Sequence, residues 1–145
     1  MSISAKGNYC DIWIHLVWAT KNREPFIDQS WKLELYKQFQ AISADKDYGL
    51  NFINGVEDHV HLLINYRPKY ALSQVVKDFK GLTRRWSRDA LPDQSAELKW
   101  QDGYSAFSVS PNRLDNVRHY IKHQENHHLN EDFDREIQRL RNDTT

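Results

Sequence analysis

Two histidines stand one residue apart at the start of an apolar segment, HVHLLINY, at 59–66. In a β-strand, residues i and i+2 point to the same face, about 6–7 Å apart for a rise of about 3.3 Å per residue. Imidazoles at that spacing can converge on one divalent cation, while Val60 between them points into the core. Because this short pattern is common by chance, it indicates a metal site only with support from elsewhere in the chain.

A tyrosine and a glutamine one helical turn apart provide that support. In VRHYIKHQENHH, at 117–128, Tyr120 and Gln124 are four residues apart and therefore share one helix face. A tyrosine hydroxyl can act as a covalent nucleophile, and an amide oxygen is a suitable ligand for a magnesium-type ion. Taken alone, Tyr120 reads as a core aromatic beside Val117 and Ile121. No residue in the sequence stands out as the base for its proton.

The elements that must position these residues alternate between strand and helix patterns. Their order is that of a ferredoxin-like split βαβ fold, an α+β antiparallel sheet with helices on one face and an extra C-terminal helix carrying the tyrosine. The polar joint SPNR at 110–113 can direct this last helix away from its own sheet. The predicted elements are a strand at 9–19, a helix capped by Asp28 and ending near Gly49, strands at 50–57 and 59–66, a helix at 73–91 capped by Ser73, a strand at 103–110 and a third helix opening at Ser110 and Pro111.

Length and composition predict one soluble domain. The 145 residues are 39% apolar with formal net charge zero, which argues against a protein that coats nucleic acid generally, so any nucleic-acid surface is local. No apolar run approaches the roughly 20 residues that cross a bilayer, and no signal-peptide pattern is seen, so we expect a cytoplasmic protein without membrane contact. The domain is expected to span 1–145, with 130–145 a peripheral tail.

A local nucleic-acid surface is indicated by the segment at 67–88, where seven basic residues accompany one acidic residue, Asp78. Such a charge run is often only a solvated helix face, but together with an active site, phosphate contact is favoured. The candidate DNA-binding residues are Arg67, Lys69, Lys77, Lys80, Arg84, Arg85 and Arg88.

Several segments together, in order and spacing, resemble one family, the single-tyrosine transposases of the HUH nuclease class, of the kind encoded by insertion sequence 200-like elements. The segments are VWATKNREPF at 17–26, HVHLLI at 59–64, RPKY at 67–70, KGLTRRW at 80–86 and YIKHQENHH at 120–128. The resemblance implies a divalent metal, Mg²⁺ or Mn²⁺, held by His59, His61 and Gln124. It also implies that Tyr120 attacks DNA.

The resemblance further implies the reaction and the partners. It predicts a transposase that cleaves and rejoins single-stranded DNA at hairpin-marked element ends by transesterification through a 5′-phosphotyrosine intermediate. It also predicts a homodimer in which the tyrosine helix of one chain completes the histidine pair of the other.

Two alternatives stay open at this level. One is a domesticated nuclease that nicks repeated hairpins, and the other is a noncatalytic ferredoxin-like nucleic-acid-binding module. A histidine stripe at His119, His123 and His127 has spacing that could hold zinc, although a polar helix face or a DNA contact explains it equally well. The role of His128 is open.

Overall fold

The computed structural model describes residues 2–3, 7–91, 98–125 and 131–142. Within these ranges the strands are β1 (Ser2–Ile3), β2 (Tyr9–Cys10), β3 (Trp13–Ala19), β4 (Leu50–Val56), β5 (His59–Asn65) and β6 (Ser105–Val109). The helices are α1 (Lys32–Lys46), α2 (Leu72–Ala90), α3 (Leu114–Lys122) and α4 (Phe133–Asn142).

A four-stranded antiparallel sheet in the order β4-β5-β3-β6 forms the centre of the chain. The short strands β1 and β2 pair separately. The element order β3, α1, β4, β5, α2, β6 with this strand order is the ferredoxin-like split βαβ arrangement. The fold class predicted from the sequence is therefore confirmed. No helix in the described ranges is long and apolar enough to span a membrane.

The two faces of the sheet carry different helices. Leu62 of β5 packs with Phe39 of α1 and Phe79 of α2 in the main core, and all three are fully buried. The next strand residue, Leu63, points to the opposite face and packs with Ile121 of α3 in a second, smaller cluster. Since strand side chains alternate between faces, the histidines of β5 lie on the α3 side.

Helix α3 is attached to the sheet of its own chain. The side-chain amide of Asn54 on β4 donates hydrogen bonds to the backbone carbonyls of Ile121 and Lys122, each at 3.0 Å. Ile121 is fully buried beneath the helix. The sequence suggested that the polar joint before α3 could direct the helix away from its own sheet. In the structure α3 instead packs on that sheet.

Several predicted boundaries shift by a few residues. The Asp28 carboxylate accepts a hydrogen bond from the Ser30 amide and organises a turn, and α1 begins only at Lys32. Helix α2 begins at Leu72, because the Ala71 carbonyl already accepts the first hydrogen bonds, so Ser73 is not its cap. The predicted first strand is interrupted between β2 and β3.

The segment at 130–145, expected as a peripheral tail, contains a docked helix. In α4, the Asp132 side chain accepts a hydrogen bond from the Arg135 amide at 2.9 Å and so caps the helix start. Glu136, one turn into α4, is fully buried. The difference from the sequence prediction arises because this helix packs over residues far away in the chain.

Candidate active site

The histidine pair stands at the first and third residues of β5, on the face of the sheet covered by α3 and α4. His59 and His61 are both fully buried, and their ring centroids lie 5.1 Å apart. The tight hairpin before them depends on Gly55, where a Cβ would stand only 2.3 Å from the His59 carbonyl oxygen. The strand therefore places both imidazoles side by side, as the spacing predicted.

Two neighbours fix the orientation of these rings. Asp58 Oδ1 lies 2.8 Å from His59 Nδ1, and His15 Nε2 lies 2.8 Å from His61 Nδ1. Both contacts leave the Nε2 atoms of the pair directed at a common point, since Nε2 is across the ring from Nδ1. Such outer partners commonly orient metal-binding histidines.

Glu136 of α4 occupies that common point. Its Oε1 atom lies 3.1 Å from His59 Nε2 and 3.2 Å from His61 Nε2. Burial alone would lower the pKa of His59, but hydrogen bonds to Asp58 and Glu136 and their charges outweigh it and raise that pKa to about 9. The carboxylate thus balances the positive charge of a protonated His59 in the closed site.

Tyr120 is hydrogen-bonded to the same carboxylate, that of Glu136. Its hydroxyl donates a hydrogen bond to Glu136 Oε2 and accepts one from Arg139 Nη2 at 2.6 Å, while its ring centroid lies 5.9 Å from that of His61. Burial, and then the bond to Glu136, raise the pKa of Tyr120 above its ordinary value, although Arg139 opposes this. The hydroxyl is therefore protonated at neutral pH.

Gln124, one turn beyond Tyr120, is fully buried. Its side-chain nitrogen donates a long hydrogen bond of 3.4 Å to the Tyr120 carbonyl. Its Oε1 atom is buried without a hydrogen-bond partner among the described residues. An orphaned buried acceptor commonly signals a missing donor or cation.

The donor set fits a hard divalent cation. His59, His61 and Glu136 each offer one ligand atom, and these atoms lie within 4.8 Å of one another. Cis ligands about 2.1 Å from an octahedral ion stand about 3 Å apart, close to the observed nitrogen–oxygen distances. The unpartnered oxygen of Gln124 is a further hard donor. Imidazoles, a carboxylate and an amide are donors to divalent cations, and this set contains no thiolate.

The predicted DNA-binding residues lie on the other side of the sheet, on α2 and the loop before it. Arg67 and Lys69 pair with Asp47, and Lys80 donates to the carbonyls of Gln101 and Gly103. The remaining members of the set are exposed, namely Lys77, Arg84, Arg85 and Arg88. The structure therefore does not bring this basic surface next to Tyr120.

Sequence reasoning missed the groups that join the site together. Glu136 was assigned to the tail, although it falls in a helical apolar stripe with Phe133, Ile137 and Leu140, where a carboxylate is unusual. His15 and Arg139 belong to separate elements, and neither takes part in a local sequence pattern that links it to the site. In the histidine stripe, the rings of His119 and His123 are tilted against each other with centroids 4.2 Å apart. His127 of the stripe and the adjacent His128 lie outside the described residues.

The family model described as IS200-like transposase matches residues 8–124, which include both histidines, Tyr120 and Gln124. A ferredoxin-like sheet with a buried histidine pair beside a tyrosine helix, together with this match, defines a DNA-recombining enzyme of the tyrosine transposase class. The chain belongs to the IS200-like transposase family, and the resemblance found in the sequence is confirmed. Helix α4 and Glu136 lie beyond the matched residues.

Individual relatives agree with this assignment. The chain is 27% identical over 123 residues to the ISDra2 transposase TnpA of Deinococcus radiodurans, covering 82% of this chain and 88% of the relative. A crystal structure of a candidate transposase from Deinococcus radiodurans R1 matches with a TM-score of 0.68 and 26% identity, covering 86% of this chain and 98% of the other. The structure of the REP-associated tyrosine transposase bound to a REP hairpin shares the fold, with a TM-score of 0.59, 12% identity and coverage of 85% and 72%.

Proposed function

We propose that this transposase cleaves and rejoins single-stranded DNA through a covalent bond between Tyr120 and a 5′ phosphate. The observation that carries the proposal is one shared carboxylate, that of Glu136. One of its oxygens accepts a hydrogen bond from the Tyr120 hydroxyl, and the other contacts His59 and His61. A nucleophile and a cation-binding pair are thus joined in one buried cluster. A strand placed there meets both.

The residues that would hold the metal are His59, His61 and Gln124, with Glu136 as a fourth donor. When bound, a divalent cation stabilises negative charge on the nonbridging oxygens of a phosphodiester. His15 and Asp58 keep the two imidazoles in position through their Nδ1 atoms.

Glu136 is also the residue best placed to take the proton of Tyr120. The Tyr120 hydroxyl already donates a hydrogen bond to Glu136 Oε2. Arg139 donates to the Tyr120 oxygen and would stabilise the phenolate after the proton has left. The phenolate oxygen forms a bond to phosphorus as the bond from phosphorus to O3′ breaks. The electron pair goes to O3′, which takes a proton from water. Rejoining reverses these steps, with another 3′ hydroxyl attacking the phosphotyrosine and the proton returning to the phenolate.

We propose hairpin-marked element ends as the DNA substrate. The REP-associated tyrosine transposase, which shares the fold, has a structure bound to a REP hairpin. The exposed basic side chains of α2 offer phosphate contacts for such a folded duplex on the face of the sheet away from Tyr120. The seven basic residues predicted from the sequence remain the candidates for this contact.

We also propose that the active enzyme is a homodimer, because excision requires two DNA ends in one assembly. The resemblance suggested that the tyrosine of one chain serves the histidines of the other. Within one chain, however, Tyr120 is already adjacent to His61, and Asn54 holds α3 on its own sheet. This geometry supports a cis site, and exchange of α3 between chains is the alternative.

The covalent step is tested with labelled single-stranded element ends and Mn²⁺, followed by denaturing electrophoresis. The wild-type protein should give a denaturation-resistant adduct, and Tyr120→Phe should abolish it. Tyr104→Phe is the matched control, since Tyr104 is an exposed tyrosine outside the cluster, and it should keep the adduct. An undiminished adduct in Tyr120→Phe would falsify the assignment.

A further inference from the structure

A positively charged cleft adjoins Tyr120, and the proposed reaction uses only one of the three arginines that line it, Arg139. A cavity of about 590 Å³ lies between β6, α3 and α4, with Tyr120 on its wall. Three arginines line it, and none of the described residues lining it is acidic. We call this the arginine cleft and define it by Arg113, Arg139 and Arg141. In a chain of formal net charge zero, this is a local concentration of positive charge.

The arginines of the cleft have donors to spare. Arg113 Nε is buried and has no hydrogen-bond partner among the described residues, and the structure records no ion pair for Arg141 within the same ranges. Arg139 is held by Glu131 through two hydrogen bonds and points at the Tyr120 hydroxyl. Because buried donors are normally paired, the cleft lacks an acceptor. Arginine forks suit phosphate oxygens best.

An aromatic surface completes the cleft. Phe107 of the edge strand β6 lines it, with its ring centroid 5.9 Å from that of His15. Positive charge alternating with an aromatic face is how proteins hold unpaired nucleic acid, the charges along the backbone and the ring against a base. The cavity volume lies within the range of about 300–1,000 Å³ of ligand-binding pockets. A nucleotide therefore has room beside the tyrosine.

We infer that the arginine cleft binds the backbone phosphates of unpaired DNA that flank the scissile phosphate, with Phe107 as a stacking surface. The inference rests on the proposed function, since it supplies that reaction with its strand-binding groove. It assigns unpaired DNA to a face of the sheet different from that of α2. The two parts of a hairpin substrate, duplex and single strand, would then contact different surfaces.

The test measures binding without chemistry, in proteins that all carry Tyr120→Phe. The cleft variant is Arg113→Gln with Arg141→Gln, and the control of equal charge change on the opposite face is Lys37→Gln with Lys46→Gln on α1, two residues without a proposed role in DNA binding. The probe is fluorescent oligothymidylate, which forms no hairpin, and anisotropy gives its affinity over a range of salt concentrations. Arg113→Lys with Arg141→Lys restores the charge.

Each lost contact to a single-strand phosphate removes about 0.7 from the slope of log affinity against log salt. The cleft variant should therefore lose about 1.4 from the slope and bind about 25-fold more weakly near 0.1 M salt. The α1 control and the variant with Arg113→Lys and Arg141→Lys should keep the slope of the Tyr120→Phe parent. Phe107→Ala should weaken binding without changing the slope, since it removes stacking and no charge.

An unchanged slope in the cleft variant overturns the inference, as does an equal loss in the α1 control, which would show a nonspecific charge effect. Circular dichroism of each variant must match the parent, and the lysine variant separates charge from damage to the fold. The adduct assay is scored separately with Tyr120 restored. Its failure would remove the covalent reaction and leave the binding result standing, whereas a normal adduct with unchanged binding would refute only the cleft.

Discussion

Glu136→Gln tests the proposed proton acceptor. Glutamine keeps the size of the side chain and one acceptor oxygen, but it replaces the other oxygen with a donor and removes the negative charge and the capacity to take a proton. An ordinary phenol of pKa about 10 is about 1% ionised at pH 8. Burial raises the pKa of Tyr120 above that value, so the phenolate available without a base is smaller still. We expect the rate of adduct formation to fall at least about 100-fold, within the range of 10²–10⁴ for general base catalysis.

The pH profile distinguishes this role from a structural one. Without an internal base, ionisation of Tyr120 depends on hydroxide, so the Glu136→Gln rate should rise about tenfold per pH unit between pH 7 and 9. The wild-type rate should be less steep. The assay is single-turnover adduct formation at saturating DNA and Mn²⁺, with thermal unfolding as a check of the fold. Asp134→Asn, an exposed change on the same helix, is the matched control and should leave the rate unchanged. Faster cleavage by Glu136→Gln would refute the reasoning, since it would mean that the carboxylate obstructs the site.

Three further results are expected. Mn²⁺ should raise the unfolding temperature of the wild-type protein and not that of His61→Ala. Chelation should stop cleavage while the circular dichroism spectrum stays native, and cleavage in the presence of chelator would contradict the metal site. A verified mixed dimer of a His59→Ala, His61→Ala chain with a Tyr120→Phe chain should stay inactive, because a cis site leaves neither chain complete; recovered activity would establish exchange of α3. The metal-free protein should be most stable near pH 6.5. Below pH 6.5 the unfolded state binds more protons than the folded state, because burial and then the charge of His61 lower the pKa of His15, so stability falls as the pH falls. Above pH 6.5 the folded state binds more protons, because the pKa of His59 is raised, so stability falls as the pH rises. Each group should contribute a loss of up to about 1.4 kcal/mol per pH unit in urea titrations, and a flat acid side would rule out the role of His15.

The sequence was sufficient for the parts of the site that local periodicity determines. His59 and His61 share a face because side chains alternate along β5, and Tyr120 and Gln124 share one because a helix repeats every 3.6 residues. The fold followed from the order of strand and helix patterns. The exact starts of helices α1 and α2 did not follow from the sequence. Asp28 and Ser73 looked like helix caps, but hydrogen bonds in the preceding turns determine where the helices begin.

The missing parts of the site depend on tertiary packing. Glu136 meets the histidines only because α4 docks across the sheet, 75 residues further along the chain than His61. The arginine cleft likewise combines Arg113 from the start of α3 with Arg141 from the end of α4. The charge run on α2 was visible because it is contiguous in sequence. Charges that converge from separate elements leave no such pattern.

The central claim is that Tyr120 becomes joined to the 5′ phosphate of a cleaved strand. Mass spectrometry of the digested adduct tests it most directly. The account predicts that the peptide containing Tyr120 gains a nucleotide through its 5′ phosphate, and that the released strand ends in a 3′ hydroxyl. A nucleotide on any other residue, or a link through a 3′ phosphate, would contradict it.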